Sequence, residues 1–334
     1  MKAERIIPMN KRIVASFFLA IVIMMFSGCG NENTSVSVMG GTDGTTAAED
    51  ATQVEAWEYE FYVEDINYYM DKYLAAYYPV REALAYQDIA AAKEHIDSEI
   101  EALGKLEKTV CPHGLEDVHS KFIYVVGLSK ECEECYRDYL GYIENGDSLS
   151  PEVDALVAEL DAINKKIDES GNISTVWFNA QSAAFSHLPN GEYKYYSARL
   201  EYSWNHYVWC GDLIAGVFYD GASGDLLSLS NGCLSALSSI ENMDLPEQLK
   251  PYHNDISEAI PMERDFCQAI VDITETYREY PELKPEDMPA DAQNKIQECQ
   301  KTIDAYYSED NSEWDALYNA VCAALDFADS QAEQ

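Results

Sequence analysis

Two cysteines one helical turn apart, Cys132 and Cys135, are the clearest candidates for chemistry in this sequence. A Cys-x2-Cys pair can act as a redox couple or supply two ligands to zinc. Thioredoxin-type redox chemistry needs a βαβ frame, which the surrounding pattern lacks, and c-type haem attachment needs a His after Cys135. A zinc site would recruit Cys111, His113 and His119. However, 13 helical residues place His119 about 20 Å from Cys132. Packing of two small thiols on a buried face is the favoured interpretation, with a disulfide or a metal as alternatives.

Two histidines occupy matching positions in the chain. His119 and His253 each end a Pro-x2-Leu-x3-His pattern, which begins at Pro112 and Pro246 respectively. One interpretation makes both imidazoles ligands of a shared site, together with or without the cysteine pair. The favoured interpretation is structural: both rings are largely buried and neutral, and each donates to a backbone carbonyl of the loop at its proline. A buried imidazole without a hydrogen-bond partner would lower the free energy of unfolding by about 1–3 kcal/mol.

The tyrosines allow two interpretations. The 24 tyrosines form stripes that could stack on sugars or peptides, but such stripes more often build a helical core.

The eight cysteines after Cys29 are even in number, which is typical of disulfides outside the cytoplasm. They are also spread about one per helix, which is typical of core thiols. The cysteines concerned are 111, 132, 135, 210, 233, 267, 299 and 322.

No pattern for catalysis is recognisable in the sequence. It contains no Ser/His/Asp order, no Gly-rich phosphate loop, no EF-hand loop and no His-Glu-x2-His helix. Paired carboxylates carry no information in a chain with 60 acidic residues. We therefore predict no catalytic residue, no enzymatic activity and no cofactor.

The charge balance limits the partners. With 22 basic and 60 acidic residues the formal charge is -38, which repels the phosphates of nucleic acids. Residues 1–28, which form the predicted export signal described next, contain four basic residues and one acidic residue. A chain without them has 18 basic and 59 acidic residues and a charge of -41. A cationic or cell-envelope partner is compatible with this surface, as is a merely solvated one.

The N-terminal segment has the features of an export signal. Basic residues precede an apolar run of 14 residues, Ile13 to Phe26, which is too short to span a membrane. The run ends in Ser27-Gly28-Cys29, so residues 1–29 resemble the signal peptide and lipobox of bacterial lipoproteins. The resemblance implies that Cys29 is lipidated and becomes the mature N-terminus, anchored to the membrane outside the cytoplasm. Residues 29–52, rich in Gly, Ser, Thr and Asn, are predicted to be a flexible tether.

The body of the chain shows an internal repeat. Shifting the sequence by 134 residues aligns 59–152 with 193–286, with 14 identities over 94 positions. The matches include tyrosines at four positions and the two Pro-x2-Leu-x3-His patterns. We predict a tandem duplication, with a first half at 53–190 and a second half at 191–334. Chance similarity between amphipathic helices is the alternative.

Apolar periodicity predicts helices throughout both halves, and therefore an all-α pair of bundles. In the first half the expected helices cover about 54–78, 83–109, 115–144, 150–169 and 173–187. Pro79 is expected to kink or break the first of these. Residues 193–222 also alternate like a strand, but the longer 3.6-residue stripe favours a helix. The second half is expected to end near Phe327, with Ser312 capping its last helix.

The leading functional hypothesis is a lipid-anchored extracytoplasmic protein that serves as a binding or interaction module. It depends on the lipobox, the tether, the duplicated helical body and the absence of catalytic patterns. The alternative is a metal- or small-ligand-binding lipoprotein with its site between the two halves.

Overall fold

The described part of the chain is helical. The structure, a computed structural model, describes residues 56–147, 150–219, 226–281, 283–306 and 313–333. Within these ranges every regular element is a helix, which confirms the predicted all-α class. None of these helices is both long enough and apolar enough to cross a membrane. The signal peptide, the tether and Cys29 lie outside the described residues.

Five α-helices form the first half within the described residues. They are α1 Ala56–Ala85, α2 Ile89–Leu106, α3 Glu116–Glu144, α4 Pro151–Ser170 and α5 Ile173–Phe185. Capping side chains set several helix starts, because the first backbone N–H groups lack partners within a helix. Asp88 caps α2, Ser150 caps α4 and Asn172 caps α5. Gly171, with φ at 93°, ends α4 in a conformation that favours glycine.

The second half repeats this order of helices. They are α6 Gly191–Tyr219, α7 Leu226–Glu241, α8 Lys250–Glu279, α9 Ala290–Tyr306 and α10 Glu313–Ala332. Residues 193–219, which also alternate like a strand, are helical as predicted. The chain passes from α5 to α6 in a tight turn. A Cβ at Gly191 would collide with the carbonyl of Phe185, so glycine is required there.

The helices pack in the same pairs in both halves. The first helix packs on the second, the second on the third, and the third on the fourth, while the fifth packs on the first and third. Two side-chain contacts recur with the same sequence spacing. Tyrosine–histidine bonds join residues 57 apart, and ion pairs join residues 23 apart. The tyrosine–histidine bonds are Tyr62–His119 and Tyr196–His253, and the ion pairs are Glu107–Lys130 and Glu241–Arg264.

Aromatic side chains join the two halves. Helix α5 packs against α6, and Tyr202 of α6 meets Trp177 and Phe178 of α5 edge-on. Tyr78 of α1 lies 4.8 Å from Trp209 of α6, measured between ring centroids. Aromatic pairs of this kind add about 0.5–1.5 kcal/mol each beyond the area they bury. The halves therefore share an apolar interface as well as a chain connection.

Two predicted boundaries in the first half are wrong. The first helix was expected to kink or break at Pro79, and the second to begin near Ala83. Instead α1 runs through Pro79 to Ala85, and α2 begins at Ile89 after a turn in which Gln87 has a φ of 60°. Packing explains the difference. Val80 and Arg81 are buried, and their burial stabilises the last turn of α1. This offsets the loss of the backbone hydrogen bond that Pro79 cannot donate. In the second half, α10 continues past Phe327 to Ala332, and Ser312 lies outside the described residues.

Candidate functional site

The cysteine pair is packed in the core of the first half. Cys132 and Cys135 are both buried on α3, where their sulfurs contact Asn164 Oδ1 at 3.7 Å and the Leu156 carbonyl at 3.5 Å. Burial, with Glu133 adding to it, raises the pKa of Cys132 well above its usual value. Burial raises the pKa of Cys135 to about 11. The thiolate is the form that binds metal or attacks a disulfide, so this setting disfavours both reactions. The described cysteines all carry thiols rather than disulfides.

The two predicted histidines lie in separate bundles. His119 Nδ1 bonds the Tyr62 hydroxyl at 3.1 Å, and His253 Nδ1 bonds the Tyr196 hydroxyl at the same distance. Burial lowers the pKa of both imidazoles, which keeps them neutral near pH 7. The expected carbonyl partner is found only for His253, whose Nε2 lies 3.5 Å from the Glu241 carbonyl rather than near Pro246. His119 is only half-buried, and both histidines have a tyrosine as their main partner.

Possible metal ligands are not gathered in the described part of the chain. No group of three His, Cys, Asp or Glu side chains there has the arrangement of a metal site. His113, one of the histidines that a zinc site was expected to recruit, is bonded to Glu116 at 2.9 Å on the exposed surface. Two side chains alone, both open to solvent, do not make a closed site. Cys29, the predicted lipidation site, lies outside the described residues.

A cavity lies between the two halves. Its volume is about 80 Å³, several times the roughly 10–15 Å³ that one water molecule requires. The first half contributes residues of α1, α3 and the start of α5, and the second half contributes residues of α6 and α7. Tyr73, Arg81 and Glu133 on the first-half side are buried, whereas Tyr202, His206 and Ser235 on the second-half side are partly exposed. The cavity therefore has a buried floor and a rim that reaches solvent.

The floor holds an incomplete ion pair. Arg81 Nη2 lies 3.9 Å from Glu133 Oε1, which is beyond hydrogen-bond distance, although both side chains are more than nine-tenths buried. Arg81 Nε and Nη1 and Glu133 Oε2 have no hydrogen-bond partner among the described residues. Burial alone would lower the pKa of Arg81, but Tyr77 and the carboxyl groups beside it raise that pKa, so the guanidinium remains charged. A buried charge pair left open in this way costs stability.

A third ionisable side chain, Glu99, lies near this pair and interacts with both of its charges. It is fully buried, and burial, together with the neighbouring Glu133, raises its pKa well above the usual value of 4.5. As a carboxylate it has no donor within reach among the described residues. As a carboxylic acid it can donate its proton to Glu133, which fits the raised pKa. The three groups then carry one positive and one negative charge, both near the cavity.

Three further side chains place unpaired polar atoms at the cavity. They are Tyr73 Oη, Asn172 Nδ2 and Ser235 Oγ, none of which has a hydrogen-bond partner within the described ranges. Burial, with Glu133 next, raises the pKa of Tyr73 well above its usual value, so its hydroxyl keeps its proton and can donate. Most buried polar groups in folded proteins are paired. Five side chains around one cavity therefore leave hydrogen-bond donors and acceptors available to a polar molecule.

The second half lacks these charges at the corresponding positions. Shifting by 134 residues places Ala215 opposite Arg81, Cys233 opposite Glu99 and Cys267 opposite Glu133. Both cysteines are fully buried. The same helical arrangement is thus built in the second half with an alanine and two thiols. Within its described residues the second half instead buries one carboxyl group at another position, Glu263, so the three ionisable groups of the first half have no counterpart at their own positions.

The rim of the cavity is aromatic and neutral. Tyr202 and His206 are stacked with ring centroids 6.3 Å apart, and Tyr78 lies beside His206 at 6.4 Å. Burial lowers the pKa of His206 to about 4, so its imidazole is uncharged at neutral pH. The rim thus offers flat apolar faces above a charged floor.

The sequence analysis missed this site, although a signal for it exists. Arg81 follows Tyr73 and Tyr77 at helical spacing, and Glu99 lies between Ile96 and Leu103 on the buried face of α2. A charged residue within an apolar stripe marks a buried ionisable group. Of the tyrosines that were expected to form either a core or a groove, Tyr73 is in the core, and Tyr73 and Tyr202 both line the cavity.

Comparison with protein-family models, curated proteins and solved structures finds no match to this chain.

Proposed function

We propose that this protein is a lipid-anchored extracytoplasmic binding protein, and that it holds a small molecule in the cavity between its halves. One observation carries the proposal: five side chains that line a single cavity have buried polar atoms without a hydrogen-bond partner among the described residues. Each unpaired buried polar group costs about 1–3 kcal/mol, so a molecule that pairs with several of them recovers a large free energy.

Comparison of the two halves supports this function. A charged cluster needed only for folding should be present in both halves, yet the second half has Ala215, Cys233 and Cys267 at the matching positions. Exchange of an open buried ion pair for small apolar side chains is often neutral or stabilising. Retention of Arg81 and Glu133 therefore favours a role in binding.

A tandem duplication is part of the proposal. It is supported by the equal order of the helices, by their equal packing pairs, and by contacts at equal spacing such as Tyr62–His119 and Tyr196–His253. Duplication followed by divergence gives the first half the charged floor, and gives the second half Tyr202, His206 and Ser235 at the rim. An experimental structure in which 59–152 does not superpose on 193–286 would contradict it.

The anchor is proposed from the lipobox. Lipidation of Cys29 after removal of residues 1–28 would place the helical body outside the cytoplasm, with residues 29–52 as a tether. Intact mass spectrometry of the membrane fraction should show a mature chain that begins at a lipid-modified Cys29. The Cys29→Ser variant should be absent from that fraction. A parent chain that keeps residues 1–28 uncut would overturn the anchor and leave the cavity proposal standing.

Thermal shift measurements test binding in the cavity. The purified full chain is screened with amino acids, sugars, amines and carboxylic acids, in parallel with Ser235→Leu. Ser235 is partly exposed at the rim, so leucine there fills the cavity from its open side without removing a charge. A ligand of the cavity should stabilise the parent but not Ser235→Leu. If every stabilising compound acts equally on both proteins, the cavity is not the binding site.

A second candidate function is an interaction module for a cationic partner. Trp57, Phe61 and Tyr68 lie along α1 with more than half of each side chain exposed, and Glu60 and Glu64 lie between them. Exposed aromatic rings among carboxylates suit a cationic amphipathic helix. Fluorescence titration with a Lys/Leu helical peptide should show tighter binding by the parent than by Trp57→Ala/Phe61→Ala. Equal binding by the two proteins would exclude this surface.

A further inference from the structure

The open ion pair at the cavity floor indicates which ligand charges are complementary to it. Two nitrogens of Arg81 have no hydrogen-bond partner among the described residues, and the two side chains do not hydrogen-bond each other at 3.9 Å. The Glu133 carboxylate has lone pairs beyond the one that protonated Glu99 occupies. An anionic group can accept from Arg81, and a cationic N–H group can donate to Glu133. A molecule that carries an anionic and a cationic group close together can pair with Arg81 and Glu133 at the same time.

The charge balance of the floor favours a ligand with no net charge. Burial, followed by the neighbouring Glu133, raises the pKa of Glu99 and so favours its neutral form. With Glu99 neutral, the floor carries one positive charge on Arg81 and one negative charge on Glu133. A simple anion would add a second negative charge beside the Arg81–Glu133 pair, and a simple amine would add a second positive charge. Either case retains an uncompensated buried charge, which is costly. A neutral polyol could pair with both groups, but only through weaker bonds without opposite charges.

We infer that the ligand is a small zwitterion of the α-amino acid type, whose carboxylate binds Arg81 and whose ammonium group binds Glu133. The inference rests on the proposed binding function. The unpaired hydroxyls of Tyr73 and Ser235 and the amide of Asn172 supply further donors for the carboxylate. Both hydroxyls can also accept a bond from the ammonium group.

The size and the rim of the cavity fit such a ligand. A volume of about 80 Å³ is room for a compact head group of a few heavy atoms, rather than for a large molecule. The side chain of the ligand would then lie toward the rim, against the rings of Tyr78, Tyr202 and His206. These rings are neutral at pH 7, so they favour an apolar or aromatic side chain over a charged one.

Isothermal titration calorimetry tests the inference on the full chain. The twenty protein amino acids are titrated first. L-alanine is then compared with propionate and ethylamine, and L-phenylalanine with 3-phenylpropionate and 2-phenylethylamine. Each matched compound lacks one charged group of its amino acid. Glucose and myo-inositol serve as neutral polyols. In the parent, at least one amino acid should bind, and removal of either charged group should weaken binding roughly 10- to 100-fold.

Matched variants locate the binding. Glu133→Gln and Arg81→Met should each weaken amino acid binding roughly 10- to 100-fold. The controls Glu131→Gln and Arg137→Met change the same residue types on exposed or partly exposed positions of α3, and they should bind as the parent does. Circular dichroism melts verify that each variant is folded. Ser235→Leu, which keeps both charges, provides an independent loss of binding if Arg81→Met does not fold.

Two outcomes separate failure of this inference from failure of the proposed function. If a polyol, a simple acid or a simple amine binds at least as tightly as every amino acid, and Ser235→Leu abolishes that binding, the cavity binds a ligand but the zwitterion inference is wrong. If amino acids bind equally to the parent and to Ser235→Leu, or do not bind at all, the zwitterion inference is also overturned. The proposed function survives only if a polyol, a simple acid or a simple amine binds and Ser235→Leu abolishes that binding.

Discussion

Glu99 provides a sharp test of the buried charge arrangement. It is fully buried, lacks a donor partner as a carboxylate, and has its pKa raised by burial and by Glu133. We predict that Glu99→Gln stabilises the protein at neutral pH. Glutamine has nearly the shape of the protonated carboxyl group, and its amide can donate to Glu133 in place of the acid proton. It removes the need to bind a proton on folding.

The magnitude follows from proton linkage. A carboxyl group whose pKa is raised in the folded state contributes stability below its unfolded pKa, and this stability is lost as the pH rises. The loss is at most one proton, or about 1.4 kcal/mol per pH unit. From the ordinary value of 4.5 to pH 7 the loss therefore reaches at most about 3–4 kcal/mol. The advantage of Glu99→Gln should be small near pH 4.5 and should grow as the pH rises.

Urea unfolding at pH 5, 6, 7 and 8 measures this difference. The free energy of unfolding is compared for the parent, Glu99→Gln, and the control Glu101→Gln on the exposed side of the same helix. The parent and Glu99→Gln should diverge with pH, whereas the control should follow the parent. If Glu99→Gln is less stable than the parent at every pH, or if all three curves stay parallel, Glu99 does not carry a proton in the folded state.

Three further predictions concern the histidines and the thiols. His253→Ala should lower the free energy of unfolding in urea by about 1–3 kcal/mol, and the half-buried His119→Ala by less; the reverse order would contradict the burial assigned to them. Burial lowers the pKa of His206 to about 4, so its contribution is present above pH 6.5 and is lost on acidification. Melting temperatures of His206→Gln should therefore fall less than those of the parent between pH 7 and 5, and equal falls would refute this assignment. In the native protein Cys233 should react with a disulfide reagent far more slowly than the partly exposed Cys111, and equal rates would contradict its burial.

Local patterns predicted the helices well because each helix has a signal within its own sequence. Ser150 and Pro151 start α4 as expected, and the apolar stripe of 193–219 outweighs its alternating pattern. The Pro79 prediction failed because it depended on a local rule, whereas burial of the following turn decides the structure. Helix ends respond to tertiary contacts that no local window contains.

The cavity could not be predicted because its residues come from distant helices. Arg81, Glu133 and Ser235 lie on α1, α3 and α7, and only packing of the halves brings them to one space. In so acidic a chain, Glu99 and Glu133 resemble dozens of solvated carboxylates. The histidines were conspicuous because they repeat, but repetition marked a shared structural contact with tyrosine. The residues that differ between the halves carry the information on binding.

A crystal structure of the full chain, grown with a mixture of apolar and aromatic L-amino acids, tests the central claim most directly. The account predicts one amino acid in the cavity, with its carboxylate on Arg81, its ammonium group on Glu133 and its side chain against Tyr202 or His206. Ordered water alone in the cavity, with those waters satisfying both Arg81 and Glu133, would contradict it. In that case the open ion pair would be a hydrated feature of the interior and not a binding site.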